Sequence, residues 1–249
     1  MLPPAELGLV VDTIPGWNLV KGLGVGRFAR VYAAARQEGH SDADPLSVLK
    51  FFRNFQVGMN EENILRRLAH LNLANIPVIQ TSVQLMDGSF GLVVSPIGVP
   101  ILPAPLGVRI TPSMFITLLE VLESVHRIGI IHRDVKPENI LLVGSNEIML
   151  NDWGSAVEIN LSCSYQGTPV YGEKNQGTHM PTRALDLCCL VKSAFTIKHQ
   201  QFPPSDLSWE DIQAYWTSVS TEFPSFRSIL KCAGDENYEG LKRFFSELW

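Results

Sequence analysis

The sequence predicts an α+β fold whose first part is rich in β-strands and whose second part is rich in helices. Short apolar runs bounded by glycine and polar turns fill the region before about residue 95, and the strongest helical pattern begins after about residue 111. A proline-rich stretch separates these regions. We therefore expect one domain of two lobes over residues 1–249, with an N-lobe at about 1–95, a linker at about 95–110 and a C-lobe at about 111–249.

Four strands and one helix are predicted in the first lobe. The stretch WNLVKGLGVGRFARVYAAAR predicts a strand, a glycine turn and a second strand, and PLSVLKFF and FGLVVSP predict two more strands. Between these two strands, MNEENILRRLAHLN has charges on one helical face and apolar residues on the other. The apolar face consists of Met59, Ile64, Leu65, Leu68 and Leu71.

The clearest helix in the chain is predicted for TPSMFITLLEVLESVHRIG. Its apolar residues recur at positions 115, 118, 119, 122 and 125, a Thr-Pro pair suits its first turn, and Gly129 follows its end. Two more helical patterns occur in the tail, one with Trp209 and Trp216 seven positions apart. The other places four apolar residues on one face, namely Leu241, Phe244, Phe245 and Leu248. We expect these aromatic side chains to pack against the second lobe.

Composition excludes several classes of partner. The chain has a net charge of -5, with 20 basic against 25 acidic residues, and no basic run longer than a pair, so we expect neither nucleic acid nor an anionic membrane as a partner. The uncharged stretch Gly88 to Val108 contains four prolines, which disfavour a membrane-spanning helix. Four cysteines without a Cys-x-x-Cys pair predict reduced thiols and an intracellular protein, and no signal peptide is apparent at the start.

A glycine-rich turn links the first two predicted strands. The spacing Gly24-x-Gly26-x-x-Ala29-x-Val31 suits a loop that lays backbone amides over phosphates. On its own the pattern leaves two alternatives open. One is a glycine-rich hairpin that binds nothing, and the other is a dinucleotide-binding turn, which would require a helix directly after it.

The stretch IIHRDVKPENILLV places six polar or charged residues between apolar runs. Charged groups are costly near a core unless they are paired or used. With the glycine turn and the VLK that ends in Lys50, this stretch resembles the eukaryotic protein kinase superfamily, whose pattern H-R-D-x-x-x-x-N is matched in full. The sequence DWGSA stands where that family carries Asp-Phe-Gly, and the resemblance covers about residues 20–195.

The resemblance implies a site for ATP and magnesium between the lobes. Gly24, Gly26 and Val31 would lie over the nucleotide, and Lys50 would hold its α- and β-phosphates with support from a helix glutamate, Glu61 in preference to Glu62. In the C-lobe, magnesium would be bound by Asn139 and Asp152. The catalytic set would be Asp134 at the substrate hydroxyl, Lys136 at the γ-phosphate, Asn139 and Asp152.

Other positions have supporting roles in the family. The resemblance makes His132 structural, gives Thr168 a contact with Asp134, and makes Asp186 the buried anchor of the loop at 132–139. Asp186 could otherwise be an ordinary acidic residue at the start of a helix, and Lys50 an ordinary lysine at a strand edge. Arg133 is expected to pair with a phosphate on the segment after Asp152, with Ser164 as the first candidate, and Glu158 is the alternative partner for Arg133. The other hydroxyl groups of that segment belong to Ser155, Ser162 and Tyr165.

The chain departs from the family pattern in several places. Ala29 replaces the third loop glycine, and Trp153 replaces phenylalanine after the magnesium aspartate. No Ala-Pro-Glu follows Tyr171, because Asn175 stands at the glutamate position, so that glutamate is absent or displaced to Glu173. Few residues follow Asp186, which predicts a shortened C-lobe with a weaker resemblance to crinkler-type effector kinase domains from microbes.

These observations predict a serine/threonine protein kinase that uses ATP and Mg²⁺ and acts on a protein substrate. Lys136 favours serine or threonine over tyrosine as the acceptor. Two alternatives stay open: a pseudokinase scaffold, because of Trp153 and the missing Ala-Pro-Glu, and a small-molecule kinase of the same fold. We expect an intracellular protein, cytoplasmic or nuclear, without excluding a secreted effector; the sequence leaves the oligomeric state open.

Overall fold

The structure is a computed structural model that describes residues 14–26, 28–37, 45–85, 87–102, 108–144, 147–164, 166–172, 178–204 and 207–247. The chain divides into two compact units, Met1–Gly98 and Val99–Trp249. Residues 103–107 of the predicted linker, Tyr165, Glu173, Asn175 and Leu248 lie outside the described ranges.

The first unit is built on a five-stranded antiparallel sheet with the strand order β1-β2-β3-β5-β4. Its strands are β1 (Trp17–Val25), β2 (Ala29–Arg36), β3 (Ser47–Phe52), β4 (Val78–Gln84) and β5 (Phe90–Ser95). The four strands predicted from the sequence are confirmed, and β4 is an addition. On one side of the sheet a buried cluster forms around Tyr32, Leu49 and Phe51.

Helix α1 (Phe55–Leu68) packs against β3, β4 and β5. Ile64, Leu65 and Leu68 are buried as the helical pattern predicts, and Met59 is half-buried. Asn54 caps the helix, since its side chain accepts a hydrogen bond from the Gln56 N–H. A 3₁₀ turn, Ala69–Leu71, follows the helix and precedes β4.

The second unit consists mainly of helices. They are α2 (Pro112–Arg127), α3 (Arg183–His199), α4 (Trp209–Glu222), α5 (Pro224–Gly234) and α6 (Tyr238–Glu247). One short strand precedes α2, and the other short strands lie between α2 and α3. They are β6 (Val99–Pro100), β7 (Ile130–Ile131), β8 (Ile140–Val143), β9 (Glu147–Leu150), β10 (Val157–Glu158), β11 (Cys163–Ser164) and β12 (Thr178–His179). The predicted strand-rich first part and helix-rich second part are confirmed.

Helix α2 is the central helix of the second unit. All five apolar positions predicted to face inward, 115, 118, 119, 122 and 125, are fully buried. Pro112 opens the helix, and Gly129, just past its end, adopts φ +76°, a left-handed conformation that glycine tolerates best. Helix α2 packs against α3, α6 and β9, which places its end beside the loop that starts at β7.

No helix among the described residues is long and apolar enough to cross a bilayer.

Gly58 on α1 gives a test of this packing. A Cβ atom at this position would overlap the ring of Phe90 and lie 3.0 Å from Phe52 Cδ2. Alanine normally stabilises a helix interior by about 1 kcal/mol relative to glycine. We expect Gly58→Ala to lower the free energy of unfolding instead, by about 1–3 kcal/mol, because the overlap outweighs that gain.

Gly234→Ala is the matched control, since a Cβ atom there meets no atom within 4 Å. This variant should be neutral or gain up to about 1 kcal/mol. Denaturant unfolding of both variants makes the comparison, and a gain in stability for Gly58→Ala would contradict the packing of α1 on the sheet.

Candidate active site

A buried ion pair joins β3 to α1 in the first unit. Lys50 is 4% exposed and Glu61 is 0% exposed, and Lys50 Nζ lies 2.6 Å from Glu61 Oε1. Taking both charges out of water is costly, so such a pair requires close contact between its partners. Glu62 has other partners, because its Oε1 accepts hydrogen bonds from Arg66 and from Ser82 Oγ. Of the two adjacent glutamates, Glu61 is therefore the one that contacts Lys50.

The glycine-rich turn connects β1 to β2 in an antiparallel hairpin. Gly24 lies opposite Val31, and Val31 in turn lies opposite Lys50 on β3. The turn is closed by a 2.8 Å hydrogen bond from Gly26 N–H to the Ala29 carbonyl, while Arg27 lies outside the described residues. A strand follows the turn, so the dinucleotide-binding alternative, which requires a helix there, is wrong. A Cβ atom on Gly24 would meet no atom within 4 Å, so the fold does not require glycine there.

In the second unit, Asp186 on α3 anchors the loop that follows β7. Its carboxylate accepts backbone hydrogen bonds of 2.7 Å from both His132 N–H and Arg133 N–H, and it also contacts His126 Nε2 at 2.9 Å. Burial acts to raise the pKa of Asp186, but the hydrogen bond from His126 and the backbone hydrogen bond from His132 oppose it, and the pKa is held below its usual range. Asp186 is therefore an ionised, fully buried acceptor, and the alternative of an ordinary helix-start charge is wrong.

This anchor holds a strained turn of the backbone. Arg133 adopts φ +70°, which is uncommon for a residue with a side chain and costs on the order of 1–3 kcal/mol. Because both N–H groups at the turn point to the same carboxylate, the surroundings determine the conformation of the loop before Asp134.

His132 is a buried structural residue. Its Nε2 lies 3.0 Å from the Asn151 carbonyl, and its Nδ1 accepts from Asp134 N–H at 3.2 Å, which fits a neutral ring with the proton on Nε2. Burial lowers the pKa of His132, although the carboxylates of Asp186 and Asp134 oppose the shift. The ring of Trp153 packs edge-on against the imidazole, with a centroid separation of 4.5 Å.

The carboxylate of Asp134 is fixed on both oxygens. Oδ1 accepts hydrogen bonds of 2.8 Å from the N–H and the Oγ1 of Thr168. Oδ2 lies 2.8 Å from Lys136 Nζ and accepts from Asn139 Nδ2 at 3.1 Å. Lys136 Nζ also donates to Thr168 Oγ1 at 2.7 Å. Three residues predicted to lie in one site with Asp134 are thus brought together around its carboxylate, namely Lys136, Asn139 and Thr168.

Asp152, the second predicted metal ligand, lies two residues after the end of β9. It is half-buried and adopts φ 64° and ψ 67°, a left-handed conformation that aspartate tolerates better than most residues. Its neighbour Asn151 donates a 2.8 Å backbone hydrogen bond to the Asn139 carbonyl, which couples the two segments that carry the predicted metal ligands.

Trp153 fits into the fold at the position where phenylalanine was expected. Its side chain is fully buried, and its Nε1–H donates a 3.0 Å hydrogen bond to the Leu150 carbonyl. A buried indole requires such a partner for its N–H. The extra bulk is therefore accommodated inside the unit, next to His132.

The donor chemistry of the second unit suits magnesium. No group of three or more His, Cys, Asp or Glu side chains that could hold a metal ion occurs within the described ranges. Magnesium at a phosphate needs fewer, since it commonly uses one or two protein oxygens together with phosphate and water. Asn139 donates its hydrogen bonds to Asp134 through Nδ2. Its Oδ1 and the Asp152 carboxylate are hard oxygen donors, the type of ligand that magnesium prefers.

Comparisons with known proteins agree with this geometry. The protein kinase domain family model matches residues 104–174, which include the anchored loop and Asp152. A solved structure of vaccinia related kinase 3 superimposes with a TM-score of 0.69 over 96% of this chain and 92% of that chain, at 17% sequence identity. The resemblance to the protein kinase superfamily that the sequence motifs predict is confirmed. The predicted kinase-like α+β fold is thereby confirmed.

The sequence relatives of this chain carry serine/threonine-kinase names. The probable serine/threonine-protein kinase glkA of Dictyostelium discoideum is 26% identical over 144 residues, which are 56% of this chain and 30% of that protein. The spindle assembly checkpoint serine/threonine-protein kinase BUB1 of Saccharomyces cerevisiae is 32% identical over 131 residues, 48% of this chain and 13% of that protein. The matched regions thus span less than a third of these relatives. The crinkler-type resemblance stays a prediction.

In this kinase fold, Arg133 binds the segment after Asp152 through neutral acceptors. Its Nε donates to the Ser155 carbonyl at 2.5 Å, and its Nη1 donates to the Ser164 carbonyl at 2.9 Å and contacts Cys163 Sγ at 3.0 Å. A phosphate on the exposed Ser164 side chain stays a prediction.

Two residues that hold the end of this segment were not found from the sequence. Lys192 Nζ donates to the Tyr171 carbonyl at 3.0 Å, and Trp216 Nε1 donates to the Val170 carbonyl at 2.7 Å. The aromatic spacing in the tail predicted that Trp216 packs inward, but no local signal links either residue to a carbonyl so distant in sequence. The expected tie through Glu173 lies outside the described residues.

The lowered pKa of His132 predicts a loss of stability in mild acid. The unfolded chain binds a proton at His132 near the ordinary pKa of 6.5, whereas the folded chain does so only at lower pH. The free energy of unfolding should therefore be highest above pH 6.5 and fall below it, by at most about 1.4 kcal/mol per pH unit for this one proton.

Denaturant unfolding at about pH 7.5 and about pH 5.0 measures this effect. A His199→Gln background removes a second histidine whose pKa is also lowered, chiefly by burial. His132→Gln in that background should show a smaller decrease between the two pH values. An equal decrease with and without His132 would show that the ring is not kept neutral by the fold.

Proposed function

We propose that this chain is an ATP-dependent protein kinase that transfers the γ-phosphate to serine or threonine hydroxyls of a protein substrate. The observation that carries the proposal is the Asp134 carboxylate, held by Thr168 at one oxygen and by Lys136 and Asn139 at the other. Phosphoryl transfer asks the protein chiefly to position groups and to stabilise charge. A carboxylate fixed in this way is suited to orient an attacking hydroxyl.

Asp134 supplies the acceptor for the proton of that hydroxyl. Asp134 is 7% exposed, so little of it is hydrated, and its rotamer is fixed by contacts from both sides. Lys136 contributes a positive charge 2.8 Å from Asp134 Oδ2, close enough to stabilise negative charge that develops on the transferred group. Thr168 fixes the position of the Lys136 ammonium relative to the Asp134 carboxylate, because its hydroxyl accepts from Lys136 and donates to Asp134.

ATP and magnesium fit the chemistry of the residues that the family pattern assigns to them. Asn139 Oδ1 and the Asp152 carboxylate would hold magnesium, which supplies charge neutralisation at the phosphates when bound. Lys50, oriented by Glu61, would hold the α- and β-phosphates. The hairpin at Gly24 and Gly26 would cover the nucleotide, and the absence of a fold requirement for glycine at Gly24 supports a role in close approach to a ligand.

The alternatives are less well supported. Trp153 was one motive for a pseudokinase, but this residue is buried, hydrogen-bonded and removes no catalytic atom. A small-molecule kinase of the same fold is disfavoured by Arg133 and by Lys136, whose ammonium is placed on the catalytic carboxylate. The serine/threonine-kinase names of the sequence relatives support a protein substrate.

Substitution of the two central aspartates tests catalysis. We expect Asp152→Asn to reduce phosphate transfer by at least about 100-fold, since one metal-binding charge is lost. Asp134→Asn should lower kcat by about 10²–10⁴-fold and leave the KM for ATP nearly unchanged, because Asp134 acts on the hydroxyl. Steady-state transfer of labelled phosphate from ATP to a generic protein acceptor makes the measurement.

Asp235→Asn provides the matched control, because Asp235 is an exposed residue at the end of α5. Asp152→Asn and Asp235→Asn should unfold at nearly the wild-type temperature, whereas Asp134→Asn should unfold at a lower temperature because Lys136 loses its ion-pair partner. Transfer by Asp152→Asn at the wild-type rate would refute the catalytic assignment.

The identity of the acceptor gives a second test. With Lys136 next to Asp134, we expect phosphate on serine and threonine of a mixed acceptor protein and not on tyrosine. Phosphoamino-acid analysis after acid hydrolysis distinguishes these products. Mainly phosphotyrosine would reject the serine/threonine assignment while leaving the kinase activity itself intact.

A further inference from the structure

A chain of hydrogen bonds runs from the C-terminal helix to the anchored loop. Tyr238 OH, at the start of α6, lies 2.6 Å from His126 Nδ1 at the end of α2. His126 Nε2 lies 2.9 Å from Asp186 Oδ2. The same Oδ2 accepts from His132 N–H at 2.7 Å, and Oδ1 accepts from Arg133 N–H at 2.7 Å. Tyr238 is thus two side chains away from the loop that carries Asp134.

The direction of the hydrogen bonds follows from the two groups at the ends of this hydrogen-bond chain, Asp186 and Tyr238. Asp186 is ionised, so the His126 nitrogen that faces it must carry a proton and donate. Burial raises the pKa of Tyr238, so its hydroxyl keeps its proton and can donate at neutral pH. Of the two neutral tautomers of His126, the one with its proton on Nε2 can accept this hydrogen bond at Nδ1. Between these two tautomers, the tyrosine hydroxyl therefore favours the one that donates to Asp186.

Helix α6 holds Tyr238 in place along α2. Tyr238, Lys242 and Phe245 lie on one face of α6 and meet, in turn, His126, Glu123 and Phe115 of α2. Lys242 Nζ is 3.2 Å from Glu123 Oε2, and the rings of Phe245 and Phe115 stack with centroids 5.9 Å apart. The order of these contacts shows that the helices run antiparallel, with Tyr238 at the end of α2 that is nearest the loop.

We propose that Tyr238 is a positioning residue for the catalytic loop, acting through His126 and Asp186. The proposal rests on the proposed kinase function for its kinetic consequence. Without the hydroxyl, His126 is free to place its proton on Nδ1, which would turn a lone pair on Nε2 towards the Asp186 carboxylate. Asp186 would then lose one of its three donors and would hold the strained turn at Arg133 less firmly. Asp134 follows directly after that turn.

Tyr238→Phe removes only the hydroxyl and keeps the ring contact with His126, whose centroid lies 6.2 Å away. We expect kcat to fall by about two- to tenfold, the range that one net hydrogen bond supports, with the KM for ATP unchanged. Lys242→Met is the control, since it breaks a different contact between α6 and α2 and leaves the hydrogen-bond chain intact. This control should keep the wild-type kcat.

A second readout is independent of activity. Nitrogen-15 NMR of the His126 ring should show a protonated Nε2 and an unprotonated Nδ1 in the wild type and in Lys242→Met. In Tyr238→Phe the ring should become a mixture of tautomers, and the amide signals of His132 and Arg133 should shift. A purely structural role for Tyr238 would lower the melting temperature without changing the tautomer.

Three results would overturn the proposal: a wild-type kcat in Tyr238→Phe, equal losses of kcat in Tyr238→Phe and Lys242→Met, or an unchanged His126 tautomer. If the wild-type chain transfers no phosphate, the proposed function fails, and the NMR comparison alone then decides whether Tyr238 controls the loop. The kinetic and the spectroscopic outcomes therefore separate the two claims.

Discussion

The buried carboxylate of Asp186 is the constraint on which the second unit depends. A fully buried anion is several kcal/mol less stable than a hydrated one unless donors surround it. Here His132 N–H, Arg133 N–H and His126 Nε2 fill that role, and they come from a loop and from a different helix. Because the anion requires these donors, it fixes the position of α3 relative to the end of α2. It also holds Arg133 in a left-handed conformation that the residue would not adopt alone.

The same design, a buried charge satisfied by groups from separate elements, recurs at the other sites. Lys50 and Glu61 join β3 to α1 within the first unit. Asp134 is satisfied by Lys136 and Asn139 from its own loop and by Thr168 from a segment 34 residues away. In each case the loss of one partner would leave an uncompensated charge near the core, so each arrangement has few alternatives. That rigidity is what the proposed phosphate transfer would require, since such chemistry depends on positioning.

Much of the fold followed from the sequence because the relevant signals are local. The five inward positions of α2 and the glycine hairpin are set by periodicity and turn chemistry, and both were predicted. Strand β4 was missed because Gln80, Thr81 and Ser82 interrupt its apolar pattern and leave it half-exposed. The preference for Glu61 over Glu62 came from the family resemblance and not from composition, since both residues are buried and the rotation of α1 on the sheet decides which one meets Lys50. The contacts of Lys192, Trp216 and Tyr238 could not be predicted from local sequence patterns, because their partners lie far away in the sequence.

The loop at 132–134 binds the rest of the unit in two directions. Its backbone N–H groups bind Asp186 on α3, and the Arg133 side chain reaches the opposite way, to the carbonyls of Ser155 and Ser164. Charge-assisted hydrogen bonds to carbonyls are stronger than neutral ones, so the segment after Asp152 is tied to the loop without any phosphate. A phosphate on Ser164 would therefore strengthen a contact that the unmodified chain already makes, because it would add charge at a position where the backbone already meets the guanidinium. The arginine thus has a structural reason to be in this loop even in the absence of a phosphorylation switch.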